Sequence, residues 1–182
     1  MKKKMITISA VSLAALIVCI VLYDITNAGI YKTLAITAGT IAYHFIIRLL
    51  AGYAFNGIKR NHANYHHRWY QIHPWENKLY SFLNVKSWKN KMPTFDPDMF
   101  NPKIHTWDEI AQAMCQSELV HETNVVLSFI PVAASVWVGA FWVFFITSFL
   151  GACFDLSFVI MQRYNRPRVV KIAERAGREI QK

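Results

Sequence analysis

Cysteine, acidic residues and nucleotide-binding motifs are what this chain has least of. Its three cysteines, Cys19, Cys115 and Cys153, are odd in number and show no C-x-x-C spacing. That argues against a disulfide framework and against a zinc site. Asp and Glu number 11 against 20 Lys and Arg, for a formal charge of +9. No Walker loop, G-x-G-x-x-G, G-x-S-x-G elbow or H-E-x-x-H helix occurs. No histidine has an aspartate five positions on, and Asp96-Pro97-Asp98 places a proline where a D-x-D pair would need a free residue.

Apolar sequence is what abounds. Hydrophobic residues make up 54 % and aromatics 14 % of 182 residues, more than a soluble domain of this length carries. The cations sit between apolar runs instead of lining one polar domain, which reads as membrane topology and not as nucleic-acid binding. The chain is therefore expected to be an all-α integral membrane protein with about four transmembrane helices. The spans expected are residues 5–23, 29–55, 119–137 and 140–161. Pro131 and Gly139 allow the kink and turn that divide the last long apolar stretch. Between spans two and three lies an aromatic and basic subdomain. The organisation expected is two helices over 1–55, a His- and Trp-rich segment over 56–117, a transmembrane hairpin over 118–162 and a basic tail over 163–182. Pro167 suits the first turn of a short amphipathic helix in that tail.

Charge orients the spans. Lys2, Lys3 and Lys4, the cations of 59–103 and those of 163–182 fall on one side, and only Lys32 lies in an opposite loop. The positive-inside rule makes the common side cytoplasmic, with both termini there in a multi-pass protein of the cell membrane. Arg48, one turn from His44 on the second span, either snorkels to the surface or has a function.

Thr106 and Glu109 have capping-box spacing, so a helix should begin near Trp107. On it, Ile110, Met114, Glu118 and His121 fall on one stripe. Glu118 and His121 are one turn apart, close enough for a carboxylate to orient an imidazole that serves as general base. The structural alternative is an interfacial pair that joins two helices. Glu118-x-x-His121 also fits half of a di-iron motif, but a second half is missing, so no metal is expected. His62, His66, His67 and His73 crowd one stretch among aromatics. Their role stays open between an interfacial belt and a site. Trp88, Lys89 and Lys91 alternate cation and aromatic. The string Gln162, Arg163, Tyr164, Asn165, Arg166, Pro167, Arg168 follows directly on a membrane run, where it could hold a phosphate or another anion.

Three segments in order resemble the glycosyl-4,4'-diaponeurosporenoate acyltransferase family of small bacterial membrane proteins. VIMQRYNRPR (159–168) looks like its C-terminal signature. VKSWKNKMP (85–93) resembles its basic Trp-Lys segment. SELVH (117–121) with FIPV (129–132) resembles its Ala-Glu-Leu-x-His and Leu-Pro-Val segments. The resemblance implies a multi-pass enzyme that esterifies a sugar hydroxyl of a glycosylated C30 carotenoid with a fatty acid. The expected partners are a membrane lipid or glycosylated isoprenoid and an acyl thioester co-substrate, with no other cofactor and no nucleic acid; the oligomeric state stays open. His121 and Glu118 are the expected catalytic pair. Trp88, Lys89, Lys91, Gln162, Arg163, Tyr164, Asn165, Arg166 and Arg168 are expected to bind donor or acceptor, with Asn165 as a donor to a developing oxyanion. A non-enzymatic lipid-binding or assembly protein, or a membrane methyltransferase with an S-adenosyl donor, are the other readings the residues allow.

Overall fold

A computed structural model describes residues 1–180; Gln181 and Lys182, the end of the expected basic tail, lie outside the described residues. The helices are α1 (Lys2–Thr26), α2 (Gly29–Lys59), α3 (Pro74–Phe82), α4 (Val85–Trp88), α5 (Trp107–Leu127), α6 (Ile130–Val138) and α7 (Phe141–Ile180), joined by short 3-10 turns and loops. Among the described residues there is no strand, so the all-α expectation holds. Four stretches are long and apolar enough to cross a membrane: α1, α2, α5 with α6, and α7.

The chain divides into two compact units. The first comprises residues 1–53 and 124–154. Its α1 and α2 form an antiparallel hairpin across a two-residue link. Asn27 adopts the left-handed conformation (φ 52°) and its N–H returns to the Tyr23 carbonyl at 2.8 Å, closing α1 as an Asn in that position can. Leu16 lies against Gly39, and the Lys2 ammonium stands 5.0 Å from the Tyr53 ring. Large apolar side chains point outward; Val136 is 81 % and Trp137 82 % exposed, which water would not tolerate and a hydrocarbon core favours. The third crossing is not one helix. α5 stops at Leu127, and α6 restarts at Ile130 with Pro131 in its first turn, because proline cannot supply the N–H that would continue α5. Gly139 (φ 79°) and Ala140 (φ 59°) then turn the chain into α7.

The second unit comprises residues 54–123 and 155 onward. The expected capping box forms: the Glu109 N–H donates to Thr106 Oγ1 at 3.2 Å and the Thr106 N–H to Glu109 Oε2 at 2.8 Å. The expected stripe turns inward, with Ile110, Met114 and Glu118 all buried. Another face of α5 pins the loop after α2. Gln116 Oε1 accepts the Asn61 N–H at 2.8 Å, Gln112 Oε1 the Ala63 N–H at 3.2 Å, and Asp108 the Tyr65 hydroxyl at 2.8 Å.

One expectation fails here. No new helix begins at Pro167; α7 is a single helix with that proline inside it. Proline removes the bond to the Arg163 carbonyl, but Arg163 and Arg166 on one side and the buried Ala173 on the other tie the helix down across the gap. The stretch that carries His62, His66 and His67 is turn and loop, ahead of the 3-10 turn at Arg68–Tyr70.

Candidate active site

The imidazole of His121 meets a carboxylate, but not Glu118. Its Nδ1 lies 2.9 Å from Asp155 Oδ1, and its ring stacks on Phe158 at 4.5 Å between centroids. α5 delivers the histidine. α7 delivers Asp155 and, one turn on, Phe158. Asp155 is 1 % exposed and the His121 side chain 20 %. The carboxylate is sealed and the imidazole edge is reachable. With Nδ1 as the donor to Asp155, Nε2 is left as the acceptor. That is the arrangement that makes histidine a directed base.

Glu118 has other work. Arg163 Nη1 donates to its Oε1 at 2.7 Å, and Arg166 Nη1 donates to its Oε2. Arg163 also donates from Nε and Nη2 to Glu76 (2.8 and 2.7 Å), from Nη1 to the Trp69 carbonyl (3.0 Å) and from Nη2 to the Gln71 carbonyl (2.9 Å). A guanidinium has five N–H donors, so every one on Arg163 is directed at this protein. Arg166 is 2 % exposed, donates to the Tyr70 carbonyl at 2.5 Å and lies 5.0 Å from the Tyr70 ring. The buried Arg166, the largely covered Arg163 and two buried glutamates thus form a neutral, hydrogen-bonded network, the condition under which buried charge is tolerable. Gln162, also buried, donates to Ser117 Oγ at 3.1 Å.

The remaining cations behave differently. Lys89 Nζ donates to Asn165 Oδ1 at 2.6 Å and stands 5.2 Å from the Tyr164 ring centroid. Arg168 stacks on the same ring at 4.9 Å, and its Nη2 lies 3.2 Å from the Tyr164 hydroxyl. Among the described residues no carboxylate pairs with Lys89, Lys91 or Arg168, unlike Arg163 and Arg166. Trp88, next to Lys89 in the chain, donates Nε1 to the Leu83 carbonyl at 3.0 Å. Asn165 lies seven residues beyond Phe158, about 10 Å along α7. The structure therefore groups Lys89, Asn165, Tyr164 and Arg168 at one level and His121 at another.

Burial alone would raise the Glu76 pKa. The Arg163 guanidinium, the His73 amide and the Tyr80 hydroxyl (2.5 Å) outweigh it and hold the carboxyl down to about 2. Burial pushes the Tyr70 phenol up to about 12 and Tyr80 higher still.

Of the four crowded histidines, His67 Nδ1 accepts the Trp69 N–H at 3.2 Å and His66 comes within 4.0 Å of Glu174. Among the described residues no three His, Cys, Asp or Glu side chains converge as metal ligands.

Two site residues escaped the sequence reading. Asp155 is the single charge in the apolar run 141–161, and a lone carboxylate there is a signal. Glu76 sits in a polar stretch and gives no such sign.

The sequence profile of the family described as CrtO, glycosyl-4,4'-diaponeurosporenoate acyltransferase, matches residues 66–175, more than half of the chain. No curated protein and no solved structure matches.

Proposed function

Since the chain belongs to the glycosyl-4,4'-diaponeurosporenoate acyltransferase family and is an acyltransferase of carotenoid synthesis, we propose that it moves a fatty acyl group from a thioester donor to a hydroxyl of a glycosylated carotenoid, with His121 as general base. The observation that carries this reading is the bond from His121 Nδ1 to the sealed carboxylate of Asp155. Nε2 takes the hydroxyl proton as the oxygen attacks the thioester carbonyl. The carbon–sulfur bond breaks, and the imidazolium returns the proton to the departing thiolate. Asp155 fixes the tautomer and stabilises the imidazolium, the role that the notion of a Glu118 partner would have given to Glu118. Glu118 instead positions α5 through the two arginines.

Lys89, Lys91 and Arg168 bind the anionic end of the donor in this reading, being cations without carboxylate partners. Their separation from His121 along α7 suits a donor whose phosphates and acyl carbonyl lie at opposite ends of a long arm. Asn165, with its oxygen on Lys89, helps form that anion site, and Tyr164 is its floor. Arg163 and Arg166 hold the site's frame. By the charge distribution this side of the protein and both termini are cytoplasmic, where a thioester donor is available.

Purified protein in nanodiscs tests the base. His121→Ala should lower kcat by about 10²–10⁴-fold, and Asp155→Asn should lower it less, each measured on protein whose melting curve shows it to be folded. Wild-type turnover by a well-folded His121→Ala protein would refute the assignment.

A further inference from the structure

Helix α3 has three sides. At about 100° per residue, Glu76 and Tyr80 fall together, and both are buried. Glu76 holds Arg163, and the Tyr80 ring meets Tyr164 edge-on at 5.4 Å between centroids. Asn77 and Ser81 form a second, exposed polar side. Trp75, Leu79 and Phe82 form the third. On it Trp75 is 62 % and Phe82 85 % exposed. Lys78, also exposed, stands at the border between the apolar and polar sides.

The contacts with α7 fix the level of this helix. Arg163 and Tyr164 come two and three residues after Met161, the last residue of the apolar run, which is about 3–5 Å along the axis. α3 is therefore held where hydrocarbon gives way to headgroups. Aromatic side chains favour that zone, and a lysine at the border of the stripe can extend its ammonium to lipid phosphates. Two exposed aromatics beside a leucine, on a helix whose other side is locked to a membrane-crossing helix, fit an apolar boundary and not water.

We propose that α3 is an in-plane interfacial helix: Trp75, Leu79 and Phe82 enter the headgroup–acyl boundary of the bilayer while Glu76, on another side of the same helix, holds Arg163. The lipid surface and the buried charge network then grip one nine-residue element from two directions.

Spin labels test this on the full chain in nanodiscs. With Cys19, Cys115 and Cys153 replaced by Ala, single cysteines at positions 75, 77, 79, 81 and 82 are labelled and their collisions with oxygen and with a water-soluble nickel chelate compared. Oxygen should dominate at 75, 79 and 82, and nickel at 77 and 81. Nickel access at 75 and 82 equal to that at 77 and 81 would overturn the proposal. So would shielding of 75 and 82 from both reagents, which would mean that a protein surface covers the stripe. Should the Cys115 replacement unfold the protein, the native-cysteine chain answers through fluorescence. The emission lost in Trp75→Phe should be the component quenched by lipids brominated near the headgroup; an unquenched lost component would overturn the proposal. Neither readout uses turnover, so failure here is separable from failure of the acyl-transfer mechanism.

Discussion

In the first unit, several serine and threonine hydroxyls turn back on their own helices. Ser9 donates to the Met5 carbonyl at 2.9 Å, Thr40 to Ile36 at 2.7 Å and Thr147 to Val143 at 2.7 Å. Two groups there do reach other helices: Arg48 Nη2 donates to the Gly151 carbonyl at 3.0 Å, and the Tyr43 hydroxyl to the Leu127 carbonyl at 2.7 Å. In the second unit, polar groups reach across the chain: Arg163 to Glu76, Arg166 to Glu118, Lys89 to Asn165, His121 to Asp155. The contrast follows from solvent. A helix in hydrocarbon always has a carbonyl four residues back, so a hydroxyl can satisfy itself locally and specifies nothing about its neighbours. A loop-rich unit has no such default. Its charges define which segments come together, and each one depends on the partner being present.

The contrast breaks most forcefully at Glu118. Glu118→Ala leaves two arginines facing a void in a buried site, and should cost about 3–5 kcal/mol; the lowered melting temperature of the solubilised protein measures it. A milder probe separates the two kinds of cation. Arg168→Ala should raise the donor KM with kcat and melting temperature little changed, the pattern of lost uniform binding, whereas Arg163→Ala should lower the melting temperature first. Acid probes the same network. Glu76 is held below its ordinary range, so its contribution to stability is complete above about pH 4.5 and is lost as the pH falls toward 2. Melting curves stepped through that window should decline in the wild type and flatten in Glu76→Gln. The smallest effect belongs to the first unit. Thr40→Val removes a bond the helix can lose without exposing another buried group, and should shift stability by less than about 0.5 kcal/mol.

Much of the fold was legible because its causes are local. Apolar runs marked the spans, Pro131 the break before α6, Gly139 the last turn, and Thr106 with Glu109 the start of α5. The inward stripe on α5 followed from helical period alone. The partner of His121 did not, since periodicity shows only which residues share a face. Asp155, 34 residues away, could be reached only by knowing that α7 returns alongside α5. The roles of Arg163 and Arg166 were hidden for the same reason. Their sequence context suggested an anion site, and only the arrival of Glu76 and Glu118 from distant segments shows that protein carboxylates already fill it. The continuation of α7 through Pro167 was also illegible. Propensity argues for a break there, and long-range anchoring overrode it.

The Arg163 fork also acts as a ruler. It reads Trp69, Gln71 and Glu76 simultaneously, so it fixes the number of residues between positions 69 and 76. One residue inserted there would carry at least one acceptor out of reach while the others stayed put. A tag or label placed in the exposed stretch 93–98 meets no such measure. For anyone reshaping this protein, a single side chain therefore divides the segment between α2 and α5 into a part that tolerates length changes and a part that does not.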